Sequence, residues 1–371
     1  MSAPASHTDQ RLSTGGPEGS DVIVERRGRL GLVTLSRPKT INALTHGMVA
    51  AISAALDEWE VDPAIATVTV TGAGDRGLCA GGDVVSLYHD AMDGDGSSSA
   101  AFWRDEYAMN ARIARYPKPF VAIQDGLVLG GGVGLSAHGS HRVVTERSVV
   151  GFPEVTIGFV PDVGATWLLS HAPDHFGTRL ALTGESVGAA DAILVGLSDV
   201  FVPRDKVDTL LAALETQDAP LAVASAAEDP GTGILHEERD WTRDAFAAES
   251  IPAIIDALRR SEPRRARELA DLISSKSPLA LAVAREALSR AARMSSLEAA
   301  LDQEYRVSRH AFTTHDFTEG IRAQLIEKDR TPRWQPREHA DVEPRSIAAF
   351  FDRPPGGDLG LSGALSSKEK E

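Results

Sequence analysis

A single cysteine, Cys79, stands in 371 residues, so no intrachain disulfide can form and no cysteine-built zinc site is possible. That scarcity fits a reducing compartment. No apolar run approaches the ~18 residues needed to cross a bilayer. The polar stretch 1–20 lacks the apolar core of a secretion signal, and its acidic residues argue against an organelle transit peptide. Basic residues are in deficit, 38 against 53 acidic ones, for a net charge of −15. Such a surface repels phosphate backbones, which excludes general nucleic-acid binding. A few local Lys or Arg would still suffice for a phosphorylated ligand. Internal repeats are also lacking. The expectation is a soluble, cytoplasmic protein with no nucleic-acid or membrane partner.

What is there is ordinary in bulk, 42% hydrophobic and 25% charged, enough to bury a core without disulfides. The pattern changes once along the chain. Between two tails, 1–20 and 354–371, an α/β core over 21–204 gives way to an almost wholly helical region over 205–353. The core opens with a hairpin of 22–25 and 30–35 turning at Arg27-Gly28. Thr45 then caps a helix whose apolar stripe is Met48, Ile52, Leu56 and Trp59. Strands are predicted at 66–71, 120–124 and 142–145, with a helix over 101–115 between the first two, an alternation that implies parallel pairing. Farther on, Ser277-Pro278 starts one helix. Ser295 and Glu298 form a capping-box pattern for another, with stripe Leu297, Leu301, Tyr305.

Two glycine clusters stand at strand ends, Cys79-Ala80-Gly81-Gly82-Asp83 and Gly130-Gly131-Gly132-Val133-Gly134. They permit either tight turns or peptide N–H groups open to a ligand, and facing one another they could form an oxyanion hole. Gly72-Ala73-Gly74-Asp75-Arg76-Gly77 matches a dinucleotide fingerprint, but the segment after it is a poor helix, which argues against NAD. Gly134-Leu135-Ser136-Ala137-His138 has a histidine where a nucleophile elbow needs its last glycine. Ser136 and His138 read as packing or hydrogen-bonding residues, and His138 with His141 lacks a third metal ligand. No metal is expected.

The apolar segment 151–167 carries only two charged groups, Glu154 and Asp162, each just after a proline. Desolvation raises a carboxyl pKa and suits acid–base chemistry. Equally open at this point, Asp162 could cap a helix over 163–169 and Glu154 could pair with an arginine. Glu106, in Arg104-Asp105-Glu106-Tyr107, carries no signal from its spacing.

Taken together, Ser36-Arg37-Pro38-Lys39 leading to Asn42-Ala43-Leu44, then Cys79-Ala80-Gly81-Gly82-Asp83, Gly130-Gly131-Gly132 and Pro153-Glu154 resemble the crotonase (enoyl-CoA hydratase/isomerase) superfamily in order and spacing. The resemblance implies a crotonase-like spiral of ββα turns assembled as trimers or hexamers. It also implies an oxyanion hole for a CoA thioester, with Gly82 and Gly131 as donors by position. Hydratases of the superfamily use two glutamates. The first would fall at Gly134, the second is Glu154, and Asp162 stands where they usually carry glycine.

That combination resembles the superfamily's thioester hydrolases, which release a short branched hydroxy acid such as 3-hydroxyisobutyrate from CoA in valine breakdown. Further matches are Phe102-Trp103-Arg104-Asp105-Glu106-Tyr107, Ala137-His138-Gly139, Phe159-Val160-Pro161-Asp162-Val163-Gly164 and His315-Asp316-Phe317-Thr318-Glu319-Gly320. By that resemblance Glu106, Gly131, Glu154 and Asp162 line the acyl site, with Glu154 and Asp162 catalytic. Coenzyme A belongs to the substrate, and no other cofactor is implied. Lys39 is a candidate for a CoA phosphate, or equally a solvated loop lysine. The alternatives are a hydratase, a Δ3-Δ2 isomerase, or a silent CoA-thioester-binding subunit.

Overall fold

The structure, a computed structural model, describes residues 20–363. Strands β1 (Val22–Arg27) and β2 (Leu30–Leu35) form the expected antiparallel hairpin. From β2 the first sheet continues through β3 (Thr67–Gly72), with β4 (Gly77–Cys79) assigned to a second sheet. The chain repeats this step with β5 (Phe120–Gln124) and β6 (Leu127–Leu129), then with β7 (His141–Val144) and β8 (Val149–Gly151). β9 (Ser186–Val187) and β10 (Val200–Phe201) close the two sheets, ordered β1-β2-β3-β5-β7-β10 and β4-β6-β8-β9. Pairing is parallel except at β1–β2 and β8–β9. One strand to each sheet per turn is the expected spiral. The glycine stretch 72–77 joins β3 to β4, so a strand follows it where a dinucleotide site needs a helix.

The helices α1 (His46–Val61), α2 (Val84–Asp93), α3 (Ser97–Ala114) and α4 (Gly131–Ala137) interleave with these strands. Met48, Ile52, Leu56 and Trp59 of α1 are all buried, and the Thr45 hydroxyl accepts from the Met48 amide at 3.2 Å. After β8 come α5 (Ala165–Ser170), α6 (Phe176–Thr183) and α7 (Ala189–Leu194). Beyond β10 the chain is helical, from α8 (Val207–Leu214) through α14 (Pro278–Ala291), α15 (Leu297–Ala311) and α16 (His315–Ile321) to α17 (Pro344–Ala349). α14 packs on α5 and α6, and α15 on α3 and α5, so the helical region lies directly against the core. No helix among the described residues is long and apolar enough to cross a membrane.

Two sequence expectations need correction. α15 is capped by Ser296, whose hydroxyl accepts from Ala299, and not by Ser295. Glu298 is instead buried and paired with Arg115 at the end of α3. The stripe Leu297, Leu301, Tyr305 sets this register, because burying Leu297 makes it the first helical residue. Residues 354–363, expected as part of a tail, are docked on α15. Asp358 receives Arg306 at 2.7 Å, and Asp302 accepts the Leu361 and Ser362 amides. Residues 1–19 and 364–371, the rest of the expected tails, lie outside the described residues.

Candidate active site

The two glycine clusters meet. Residues 36–44 clasp the first: Ala80 N–H donates to Ile41 O, Leu44 N–H to Gly81 O, and Asp83 N–H to Leu44 O, each at 2.8–2.9 Å. Buried Asn42 gives its side-chain amide to the Ala73, Gly77 and Leu78 carbonyls, and Arg37 ties Ala43 O to Asp83. Among the described residues, the Gly82 amide is left without a partner by this clasp. So is the amide of Gly131, the first residue of α4. A Cβ built on Gly131 would lie 3.2 Å from the Gly82 nitrogen, so the two open N–H groups sit side by side. That pair is what a developing oxyanion needs.

Three carboxyls surround it. Glu154 opens a 3-10 turn (Glu154–Ile157), and its Oε1 lies 2.6 Å from the Cβ position of Gly130. Glu106 comes from α3, with Oε1 2.6 Å from the Cβ position of Gly131. Neither Glu106 Oε1 nor Glu154 Oε2 has a hydrogen-bond partner among the described residues. Asp162 accepts from the Tyr107 hydroxyl at 2.5 Å, and that hydroxyl also bonds Ser308 Oγ of α15 at 2.7 Å. All three carboxyls are at most 8% exposed. Burial, with the Asp162 charge adding to it, pushes Glu106 and Glu154 well above the usual carboxylate range. Burial also pushes Asp162 up to about 7, while the Tyr107 hydrogen bond holds it down.

These groups open onto a cavity of about 330 Å³, of the size that takes a small ligand. Its walls are aromatic, with Trp103, Phe159 and Phe317 packed ring against ring and Phe102 beside them. Phe317, Gln324 and Leu325 close one side, so the C-terminal helices of this same chain complete the pocket.

Segment 162–166 is held from behind. The His138 ring bonds Val163 O at 2.8 Å, and burial pushes this imidazole down to about 4, so a neutral ring donates through Nε2–H. Val163 itself sits at φ +56°, an uncommon place for a β-branched residue. Glu304 of α15 accepts from the Gly164 amide, the Thr166 amide and the Thr166 hydroxyl, and so caps α5. Asp162 therefore does not cap that helix, and no arginine meets Glu154. At Gly134 a Cβ would fall 2.5 Å from Val163 Cβ and 3.2 Å from Asn110 Nδ2, so the position is filled from outside. Ser136 bonds Gly132 O and Gln124 within the interior, as a structural residue would. Lys39 is exposed on the turn Pro38–Thr40 and does not line the cavity.

A family model described as Enoyl-CoA hydratase/isomerase matches residues 30–351. The chain belongs to the enoyl-CoA hydratase/isomerase family. Within it, the chain is 36% identical to a mitochondrial 3-hydroxyisobutyryl-CoA hydrolase of Rattus norvegicus, covering 90% of this chain and 89% of the relative. It is 34% identical to that of Homo sapiens over 94% and 93%. Among solved structures, a carnitinyl-CoA dehydratase from Mycobacterium thermoresistibile shares 48% identity with TM-score 0.89, over 92% of this chain and 99% of that one. An enoyl-CoA hydratase from Rhodobacter sphaeroides shares 40% with TM-score 0.87 over the same fractions.

The geometry brings Gly82, Gly131, Glu106, Glu154 and Asp162 together and leaves Lys39 apart. Sequence reasoning missed Tyr107, Ser308, Glu304 and Asn110. One signal was present. Glu304 and Ser308 flank Tyr305 on the apolar stripe of α15, and polar residues on a buried stripe need buried partners.

The carboxyl cluster has a consequence for a family member without substrate. Asp162 moves from 3.8 to about 7, and Glu304, also through burial, from 4.5 to about 8. With the folded pKa raised, the protonated form is favoured on folding. That contribution is complete below the unfolded value and is lost as pH rises through the folded one. The melting temperature of the free protein is expected to fall between about pH 4 and pH 8. Glu106→Gln, which removes a carboxyl that burial and the Asp162 charge hold well above its ordinary range, should flatten the slope; a Tm equally steep in that variant would show the cluster is not its cause.

Proposed function

We propose that the chain hydrolyses 3-hydroxyisobutyryl-CoA, a short branched hydroxyacyl thioester of valine breakdown, to the free acid and CoA. The observation that carries this reading is Glu154 beside two open amides, with Glu106 and Asp162 in the same cavity, while the other position a hydratase would use, Gly134, is closed by Val163. The names of the curated relatives support it.

The Gly82 and Gly131 amides hold the thioester oxygen as the carbonyl carbon is attacked. Glu154 either attacks as carboxylate, expelling CoA thiolate and leaving a mixed anhydride that water hydrolyses, or takes the proton of a water that attacks directly. Borohydride reduction during turnover marks Glu154 only on the covalent route. Asp162 orients the acyl group and returns a proton to the thiolate. The substrate hydroxyl pairs with the orphaned Glu106 Oε1, a reason for the site to prefer hydroxyacyl chains. Atoms balance with water alone, so the proposal names no cofactor beyond the CoA of the substrate. Lys39 is assigned to a CoA phosphate from its motif position. The reading further includes a trimer or hexamer in the cytoplasm, on family likeness and on a single cysteine, which fits a reducing compartment. The mitochondrial designation of the vertebrate relatives names the other such compartment.

A second reading, hydration of an enoyl-CoA or the reverse dehydration, is favoured by the names of the two solved structures. Thiol release from 3-hydroxyisobutyryl-CoA, followed with a thiol-reactive dye, separates them. Release supports the hydrolase, and loss of water to the enoyl-CoA without release overturns it.

A further inference from the structure

A buried ammonium lies behind the acyl cavity. Lys276 sits in the turn between α13 (Arg264–Ser274) and α14, and is 7% exposed. The turn is locked on both sides. The Trp334 indole donates to Ser275 O at 2.9 Å, and Ser277 caps α14 while its hydroxyl donates to Asp316. Lys276 thus has a fixed direction, toward the 3-10 turn that carries Glu154. There its ammonium donates to Thr156 Oγ1 at 2.8 Å. Gly184 leaves that hydroxyl its room, since a Cβ there would lie 3.1 Å from Oγ1.

The charged groups on the surrounding elements are engaged elsewhere. Asp316 of α16 takes Ser277 and the Gln335 amide, and His315 bonds Arg333 O. Glu185, after α6, is held by Arg179 and Arg265. On α13, Glu268 meets Arg264 and Arg265, and Asp271 is exposed. Glu154 stands among the other carboxyls. Burial alone therefore acts on the Lys276 ammonium, and it pushes the group down to about 8. A charge at this depth without a carboxylate costs stability, and a turn already held by Trp334 and Ser277 does not need it.

An ammonium can only donate, so Thr156 Oγ1 must accept, and its own proton has to go elsewhere. Among the described residues that proton has no acceptor. Thr156 lines the cavity, where it and Gln324 are the polar side chains that are not acidic. We propose that Lys276 makes the Thr156 hydroxyl an obligate hydrogen-bond donor to a neutral oxygen of the bound acyl-CoA. Thr156 is then a specificity-determining contact, and Lys276, which does not line the cavity, is its positioning residue. The inference rests on reading the cavity as an acyl-CoA site, whichever reaction follows. The oxygen belongs either to the hydroxyl of the acyl chain or to a carbonyl of the CoA arm. Once Lys276 loses its proton, the neutral amine offers a lone pair to the Thr156 hydroxyl and draws its proton away from the ligand.

Calorimetric binding of two non-hydrolysable CoA thioethers tests this, one with the acyl hydroxyl and one without it. Thr156→Val, close in shape, should weaken binding about tenfold, and Thr156→Ser should keep it within about threefold of wild type. An equal loss with both probes supports an acceptor on the CoA arm. A loss confined to the hydroxylated probe supports one on the acyl chain, and no loss with either overturns the proposal. Lys276→Met should bind about fivefold more weakly yet melt no lower than wild type at neutral pH, because it removes a buried charge. A lower Tm with unchanged affinity would make Lys276 a structural residue and overturn its role. Wild-type affinity should also fall about fivefold between about pH 7 and pH 9.5, with its midpoint near the Lys276 value of about 8. That step should vanish in Lys276→Met and in Thr156→Val, which both retain Asp162 and Glu304; a step of equal size in all three proteins overturns the proposal. Wild-type protein that binds the thioethers but releases no thiol would overturn the proposed function, while the binding series would still decide the role of Lys276.

Discussion

Glu154→Gln is expected to lower thiol release by about 10³-fold or more while leaving CoA-thioester binding within about threefold. The amide has the same shape, so the turn Glu154–Ile157 and the packing against Gly130 persist. It can neither attack as an anion nor accept a proton from water, whichever route the enzyme follows. The open amides of Gly82 and Gly131 remain, so the thioester oxygen still has its donors. Two assays check this together: thiol release under saturating substrate, and calorimetric binding of a non-hydrolysable CoA thioether. Glu154→Gln should also melt higher than wild type near neutral pH, because it removes a carboxyl that burial and Asp162 hold well above its ordinary range. Turnover close to wild type would move the chemistry off Glu154, leaving Asp162 and Glu106 as the carboxyls to carry it.

Much of this site was legible in the sequence, for a local reason. Gly82, Gly131 and Glu154 are backbone or turn positions, set by glycine clusters at strand ends and by a proline before the carboxyl, and such features are written within five residues of chain. The strands were legible because alternation over 66–71 and a short apolar run at 120–124 admit little else. The partners of Asp162 were not, since Tyr107 stands 55 residues before it and Ser308 another 201 residues beyond Tyr107. Only the packing of α15 across α3 and α5 brings them together. The cap of α15 slipped by one residue because two adjacent serines compete and the buried stripe decides between them. Residues 354–363 were misread because a stretch rich in Gly and Pro can still be pinned by a few ion pairs and backbone bonds to a neighbouring helix.

Putting a glutamate back at position 134 is expected to yield no hydratase. In this chain the site of that side chain is already occupied: even a Cβ would meet Val163 Cβ at 2.5 Å. Gly134→Ala alone should therefore cost about 1–3 kcal/mol in urea unfolding, as overpacking of a rigid core does. It should also slow thiol release about tenfold, because Val163 can yield only by moving its neighbour Asp162. Gly134→Glu adds a buried carboxyl beside Glu106, Glu154, Asp162 and Glu304 with no cation to pair it, which should raise the loss to about 3–5 kcal/mol. Val163→Gly supplies the control. It removes the clashing side chain and suits the φ of +56° at that position. In the double variant Gly134→Glu/Val163→Gly, the steric part of the penalty should disappear and leave only the electrostatic part, so the two changes are non-additive in the stabilising direction. If the double variant is as unstable as the sum of the single ones, contact with Val163 is not what keeps a side chain out of position 134. If it hydrates an enoyl-CoA, the missing glutamate alone separated the two activities on this fold.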